Sequence, residues 1–312
     1  MLYGNLRVRS YFENIAKKNR LAHAYLFYGP DGVGKRSYAV ELAQAILCPD
    51  AGEGAHVSDE CRACFAVAAG SYPTVYFIRP EGDGGRPLIS VTAIRALRRA
   101  LTLKAFVGEK RVVIVDGAEY MNREAANAFL KTLEEPYPGI HFFMIVASLA
   151  ALPETIISRS ERVRFTLLSD ADVVSVLKGR GATEKQAMSV AKYSFGRPAW
   201  AARYYEDEKL LAAAEVSVKD VRSLVSPYLS MRMKVAAGFP TDAQEAALSL
   251  QRWILALGDV LKKQVRDGDD KAVITARFLS DCFRLASTIK NTNANPRLAL
   301  ESIVFSPIPQ YN

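Results

Sequence analysis

The sequence predicts an α/β fold followed by an all-α remainder, and three observations carry that prediction. Residues Gly29–Ser37 read GPDGVGKRS between an apolar run, Ala24–Tyr28, and an apolar-rich stretch, Tyr38–Leu47. Strand, glycine-rich turn and helix in that order make the setting of a phosphate loop. Further apolar runs at Thr74–Ile78, Arg111–Val115 and Phe142–Ala147 alternate with helical periodicity, the pattern of a parallel sheet covered by helices. From Leu167 onward that alternation stops and the chain reads as helices alone.

Taken in order, Tyr11–Arg20 reads as a helix ending in Lys17, Lys18 and Arg20, with the lone His23 beside the first buried strand. A structural part suits His23 better than ligation or catalysis. In the loop, Gly29, Gly32 and Gly34 can take backbone angles closed to other residues, which lets successive N–H groups face an anion at the helix N-terminus. Lys35 follows, in the position that reaches terminal phosphates. Next should come Ser or Thr to ligate magnesium, but Arg36 stands there. Ser37 is no substitute, because one further helical residue rotates the side chain by about 100°. The loop suits phosphate and lacks a magnesium ligand, which argues against bound ATP.

Cys48, Cys61 and Cys64 cluster in an insert after the loop helix. A Cys-x-x-Cys pair suits tetrahedral zinc, with His56 or Asp59 available to complete the set; equally, the three can be small buried residues left after loss of a metal. Val67 occupies the place where a further Cys-x-x-Cys step would put sulfur. The helix Val91–Leu103 carries Ile94, Leu97 and Leu101 on one face and Arg95, Arg98 and Arg99 on another, a solvated basic face or a phosphate-binding stripe.

Asp116 ends a buried strand, where phosphate-loop ATPases hold magnesium through water. Gly117 stands where a water-orienting glutamate would follow, and Glu119 lies two residues beyond it. Asn122 caps a helix over Arg123–Glu135, ended by Pro136. Ser148 follows a strand, where a polar side chain can sense a phosphate. Pro153–Arg164 reads as a loop presenting Ser158-Arg159-Ser160, so that Arg159 is either an arginine finger or ordinary solvated charge. The later helices are expected over Ala171–Arg180, Glu184–Phe195, Pro198–Leu211, then through Met231, Thr241–Arg266, Lys271–Asn291 and Arg297–Val304, with Asp170 and Thr183 as caps. Gly196-Arg197-Pro198 separates two of them.

Composition sets bounds. The 312 residues are half hydrophobic and a quarter charged, enough for two or three packed domains. A net charge of +8 permits nucleic-acid contact without requiring it. Met1–Asn14 lacks a signal-type apolar segment, and Phe142–Leu152 is too short to span a membrane, so the expected location is cytoplasmic. Four cysteines in a chain of this size do not make a disulfide framework.

Together, HAYLF before GPDGVGKRS, the Cys insert, VVIVDGAEYMNREAANAFLKTLEEP, PETIISRS and the late NANPRLALESIVF resemble the delta-prime subunits of bacterial DNA polymerase III clamp loaders. The motifs keep the family's order from residue 21 almost to the end. The resemblance implies an AAA+ phosphate-loop parallel-sheet domain with a Cys-containing insert over 1–166, a small helical lid over 167–211 and a C-terminal helical collar domain, the oligomerisation domain, over 212–312. It implies a subunit that does not hydrolyse ATP, joined with delta and DnaX-type ATPase subunits in a five-membered ring that loads the sliding clamp on primed DNA, with no membrane involved. It assigns Arg159 to ATP bound by a neighbouring subunit, Gly29, Gly32, Gly34 and Lys35 to a degenerate phosphate loop, Arg197 to a nucleotide-sensor position, and Cys48, Cys61 and Cys64 to zinc, of which the family's fourth cysteine is replaced by Val67. Two other readings stay open on the residues: a self-sufficient motor ATPase in which Ser37 and Glu119 take over the missing roles, and a nucleic-acid adaptor using Arg95, Arg98 and Arg99.

Overall fold

The computed structural model describes residues 5–18, 20–50, 61–82, 87–103, 110–226, 228–291 and 294–304. By packing, the chain forms two compact units, Met1–Ala187 with Gly196–Trp200, and Met188–Phe195 with Ala201–Asn312.

The first unit is a parallel sheet with helices on both faces. In chain order its elements are α1 (Leu6–Lys17), β1 (Ala24–Tyr28), α2 (Lys35–Leu47), α3 (Arg62–Ala69), β2 (Val75–Ile78), α4 (Val91–Leu103), β3 (Arg111–Asp116), α5 (Arg123–Glu134), β4 (Ile140–Val146), α6 (Glu154–Ile157), β5 (Glu161–Arg164) and α7 (Asp170–Lys178). The strand order is β2-β3-β4-β1-β5, and every pairing is parallel. Strands sandwiched between helices are buried on both faces, which is why β1, β3 and β4 read as unbroken apolar runs. Alternate residues part into two cores. Leu26, Val113, Val115, Phe142 and Met144 pack with Ile94, Leu101 and Phe129 from the helices α4 and α5. Tyr25, Phe27, Val112, Ile114 and Phe143 pack with Phe12 of α1 and Tyr38 of α2.

Three local expectations are corrected. Residues expected in a loop at 161–164 form β5, which pairs with β1 from Tyr25↔Glu161 to Tyr28↔Arg164. Only Val163 of that strand is buried, so its charged, exposed partners hide the strand signal. The cap of α7 is Ser169 and not Asp170: its hydroxyl accepts from the Asp172 N–H while the Asp172 side chain turns back on it. The helix expected over Pro198–Leu211 is broken at Asp207, whose carboxylate accepts from Lys209 and Leu210 N–H groups and starts a new helix. Asn122 does cap α5, accepting from the Ala125 N–H at 2.8 Å, and Thr183 and Gln186 form a reciprocal cap at the next helix.

The remaining helices are α8 (Glu184–Ser194), α9 (Pro198–Glu206), α10 (Glu208–Leu224), α11 (Leu229–Ala237), α12 (Ala243–Asp267), α13 (Ala272–Asn291) and α14 (Pro296–Val304). The second unit closes on Trp253, Leu250, Leu257, Leu285, Leu300 and Val304, with Cys282 fully buried among them. Among the described residues, no helix is long and apolar enough to cross a membrane.

Candidate functional site

Parallel strands direct their C-terminal ends to one edge of the sheet, where doubly wound folds place ligands. The phosphate loop follows β1 at that edge, and Asp116 ends β3. Gly29, Gly32 and Gly34 all adopt positive φ, at 138°, 78° and 97°, as their role in the turn requires.

Lys35 and three carbonyls of the loop have partners within the protein. Lys35 is only 6% exposed. Its ammonium donates to the carbonyl of Gly29 and, at 2.8 Å, to that of Pro30, with the Asp31 carboxylate 3.7 Å away. Burial lowers the Lys35 pKa, opposed by the charges of Asp31, Glu119 and Asp116. The carbonyl of Gly32 accepts from the Ala199 N–H at 3.0 Å. Arg197 and Trp200 lie against the same glycine, and a Cβ there would meet Trp200 Cδ1 at 3.0 Å and Arg197 Cβ at 3.2 Å. The Arg197 guanidinium stands over the Trp200 ring at 5.3 Å. The sensor-like arginine is thus brought to the loop that its sequence position does not reveal.

Arg36, at the position where a hydroxyl was expected, meets Asp116. Its Nε lies 3.4 Å from Asp116 Oδ2. A half-exposed guanidinium therefore sits beside this carboxylate. Gly117 follows Asp116 with a φ of 81°. Glu119 reaches the neighbourhood from the next turn, but its Oε1 accepts from the Ala147 N–H at 3.1 Å, tying it to the end of β4. Ser148 precedes a short turn after that strand, makes no capping bond with its side chain and is exposed.

Arg159 follows α6 and is exposed. Its Nη2 pairs with Glu134 Oε1 at 2.9 Å, and its Nη1 donates to the Thr155 carbonyl at 3.1 Å. Glu134, at the end of α5, was not singled out from the sequence; the repeated acid before Pro136 was the signal. Arg95 and Arg99 are exposed on α4, opposite the buried Ile94, Leu97 and Leu101. The His23 backbone carbonyl accepts from the Phe142 N–H.

Cys48 ends α2, Cys61 caps α3 and Cys64 lies in its first turn. Their three sulfurs lie within 4.8 Å of one another, so this cluster could hold a metal ion. Amides of Cys64 and Ala63 reach the Cys61 sulfur, and the first of these is the main cause that brings its pKa down to about 7. Burial pushes Cys48 up to about 11. His56 and Asp59 lie outside the described residues.

The family model described as DNA polymerase III, delta subunit, matches residues 4–169. The chain belongs to that family. The delta-prime subunit of DNA polymerase III from Pseudomonas aeruginosa is 42% identical over 139 residues, which is 44% of this chain and 41% of that protein. The corresponding subunit of Bacillus subtilis is 33% identical over 159 residues, 51% of this chain and 46% of that protein. The chain thus spans about half the length of the curated relatives it matches. In structure, a DNA polymerase III gamma-subunit-related protein of Thermotoga maritima superposes with a TM-score of 0.54 at 19% identity, covering 95% of this chain and 96% of that one. The delta-prime resemblance and the phosphate-loop parallel-sheet fold followed by helices, both expected from the sequence, are borne out.

Proposed function

We propose that this chain is a non-hydrolysing delta-prime-type subunit of a replicative clamp loader, which lends Arg159 to ATP held by a neighbouring subunit. The observation that carries the reading is the Arg36–Asp116 pair at 3.4 Å, a resident cation where hydrolysis would need magnesium. Gly117 in the place of a water-orienting acid supports the same conclusion. The phosphate loop then works chiefly as a structural turn.

Arg159 has the properties of a finger acting on another chain. It is exposed, it follows a short helix packed on the sheet, and its planar fork is already oriented by Glu134 and Thr155. On a neighbour's γ-phosphate it would stabilise charge that develops during phosphoryl transfer. Residues 167–211 would serve as a lid and 212–312 as the oligomerising collar, in a cytoplasmic five-membered ring with delta and DnaX-type subunits acting on the sliding clamp and primed DNA. Zinc, held through Cys48, Cys61 and Cys64, would be structural, joining the end of α2 to the start of α3.

The test is co-purification with the host's clamp-loader subunits, then ATPase assays of the reconstituted complex. Arg159→Ala should leave the ring assembled and lower its DNA-stimulated ATPase; unchanged turnover would overturn the reading. Turnover by the isolated chain that disappears in Lys35→Ala would instead favour the motor ATPase. Steeply salt-dependent DNA binding by the isolated chain would favour the nucleic-acid adaptor.

A further inference from the structure

Among the described residues the thiol cluster groups three sulfurs and no further ligand atom. Val67, one helical turn beyond Cys64, is fully buried in the apolar core beside β2 and β3 and offers no donor atom. One sulfur–sulfur spacing matches what a zinc ion requires. Zinc–sulfur bonds of about 2.3 Å place two sulfurs about 3.8 Å apart, and Cys48 and Cys61 stand 3.6 Å apart. The helices that bear them are held in register: Gln44 of α2 donates to the Cys64 carbonyl at 2.9 Å, a buried bond.

Asp50 meets this cluster twice. Its Oδ2 lies 3.9 Å from the Cys61 sulfur, and its backbone N–H reaches the Cys48 sulfur. A carboxylate oxygen and a thiolate on one zinc ion stand about 3.5 Å apart, given bonds of about 2.0–2.2 and 2.3 Å. The Asp50 carboxylate stands beside Cys61, outside the set of three sulfurs that lie within 4.8 Å of one another, so ligation requires its side chain to turn toward Cys48 and Cys64. We propose that Asp50 is the fourth protein ligand of a structural zinc site made with Cys48, Cys61 and Cys64. Three thiolates and one carboxylate carry the same total charge as four thiolates, so the exchange preserves the site's electrostatics. It also moves the fourth ligand from α3 to the segment after α2, which explains how position 67 can be a core valine. The assignment stands apart from the clamp-loader reading, because it concerns only local coordination.

The test uses the full chain, purified under reducing conditions. Zinc content by mass spectrometry should be one ion per chain, and chelator competition should show Asp50→Ala and Asp50→Asn weakening zinc by at least the tenfold to hundredfold typical of losing even an outer-shell partner. Cobalt substitution supplies a spectroscopic readout. In Asp50→Ala the thiolate-to-cobalt charge-transfer bands should persist, since three sulfurs remain, while the visible bands of the tetrahedral ion change in shape and intensity. Asp50→Cys should retain tight binding. Asp50 is exposed, so the variants should keep the far-ultraviolet dichroism of the parent. Wild-type affinity and cobalt spectrum in Asp50→Ala would overturn the assignment, as would loss of zinc confined to His56→Ala or Asp59→Ala. Failure of the reduced wild-type chain to bind zinc would overturn it too.

Discussion

Replacing Gly29 by alanine should damage the fold whether or not the loop ever holds a nucleotide. Gly29 has a φ of 138°, and a Cβ there would stand 2.2 Å from the Phe165 carbonyl oxygen and 3.1 Å from its carbon. Phe165 cannot withdraw. Its N–H donates to the Tyr28 carbonyl at 2.8 Å, and its fully buried ring packs 5.2 Å from that of Phe27. A non-glycine residue in this backbone region costs about 1–3 kcal/mol, and overpacking adds about 1–3 kcal/mol. A combined loss of about 2–6 kcal/mol is a large part of the roughly 5–15 kcal/mol that domains possess. Gly181→Ala is the control: its φ is 92°, but nothing lies within 4 Å of the added carbon, so only the conformational cost of about 1–2 kcal/mol applies. Urea unfolding followed by circular dichroism, with hydrogen exchange of the β1 and β5 amides to isolate the first unit, measures both. Equal losses in the two variants would refute the reasoning.

Lys35→Met keeps the volume but leaves the Gly29 and Pro30 carbonyls without their donor; it should cost about 1–3 kcal/mol in nucleotide-free protein, and an unchanged urea midpoint would refute a structural part for this lysine. Arg159→Ala breaks an exposed pair and should cost less than about 1 kcal/mol of stability while lowering the complex's ATPase, and Arg159→Lys should fail to restore it because an ammonium lacks the planar fork. Burial lowers the pKa of His141, whose Nδ1–H donates to the Ala22 carbonyl at 2.9 Å. Its contribution is therefore complete above the unfolded value of 6.5 and is lost as pH falls below that toward the depressed folded value. Stability of the parent should decline on acidification through this window, and His141→Gln should flatten that decline in thermal melts taken at successive pH values.

Several parts of the site were legible because their cause is local. Glycines at 29, 32 and 34 mark a turn that only positive φ can make, Asn122 caps with its own side chain, and doubly buried strands announce themselves as apolar runs. The missing magnesium hydroxyl at Arg36 and the missing acid at Gly117 were equally visible, since each is one residue in a fixed frame. Strand β5 escaped notice because an edge strand with a single buried residue has no apolar alternation to display.

Sequence alone determined the alternation of strands β1–β4 with helices, the degenerate loop, the candidate finger and the three clustered thiols. Tertiary structure decided who meets whom: Arg36 with Asp116, Arg159 with Glu134, Arg197 and Trp200 with Gly32, and Asp50 with Cys61. The physical reason is range. Backbone preference and periodicity act over a few neighbouring residues, whereas charge pairing and metal geometry depend on where the folded sheet and its loops bring distant side chains together.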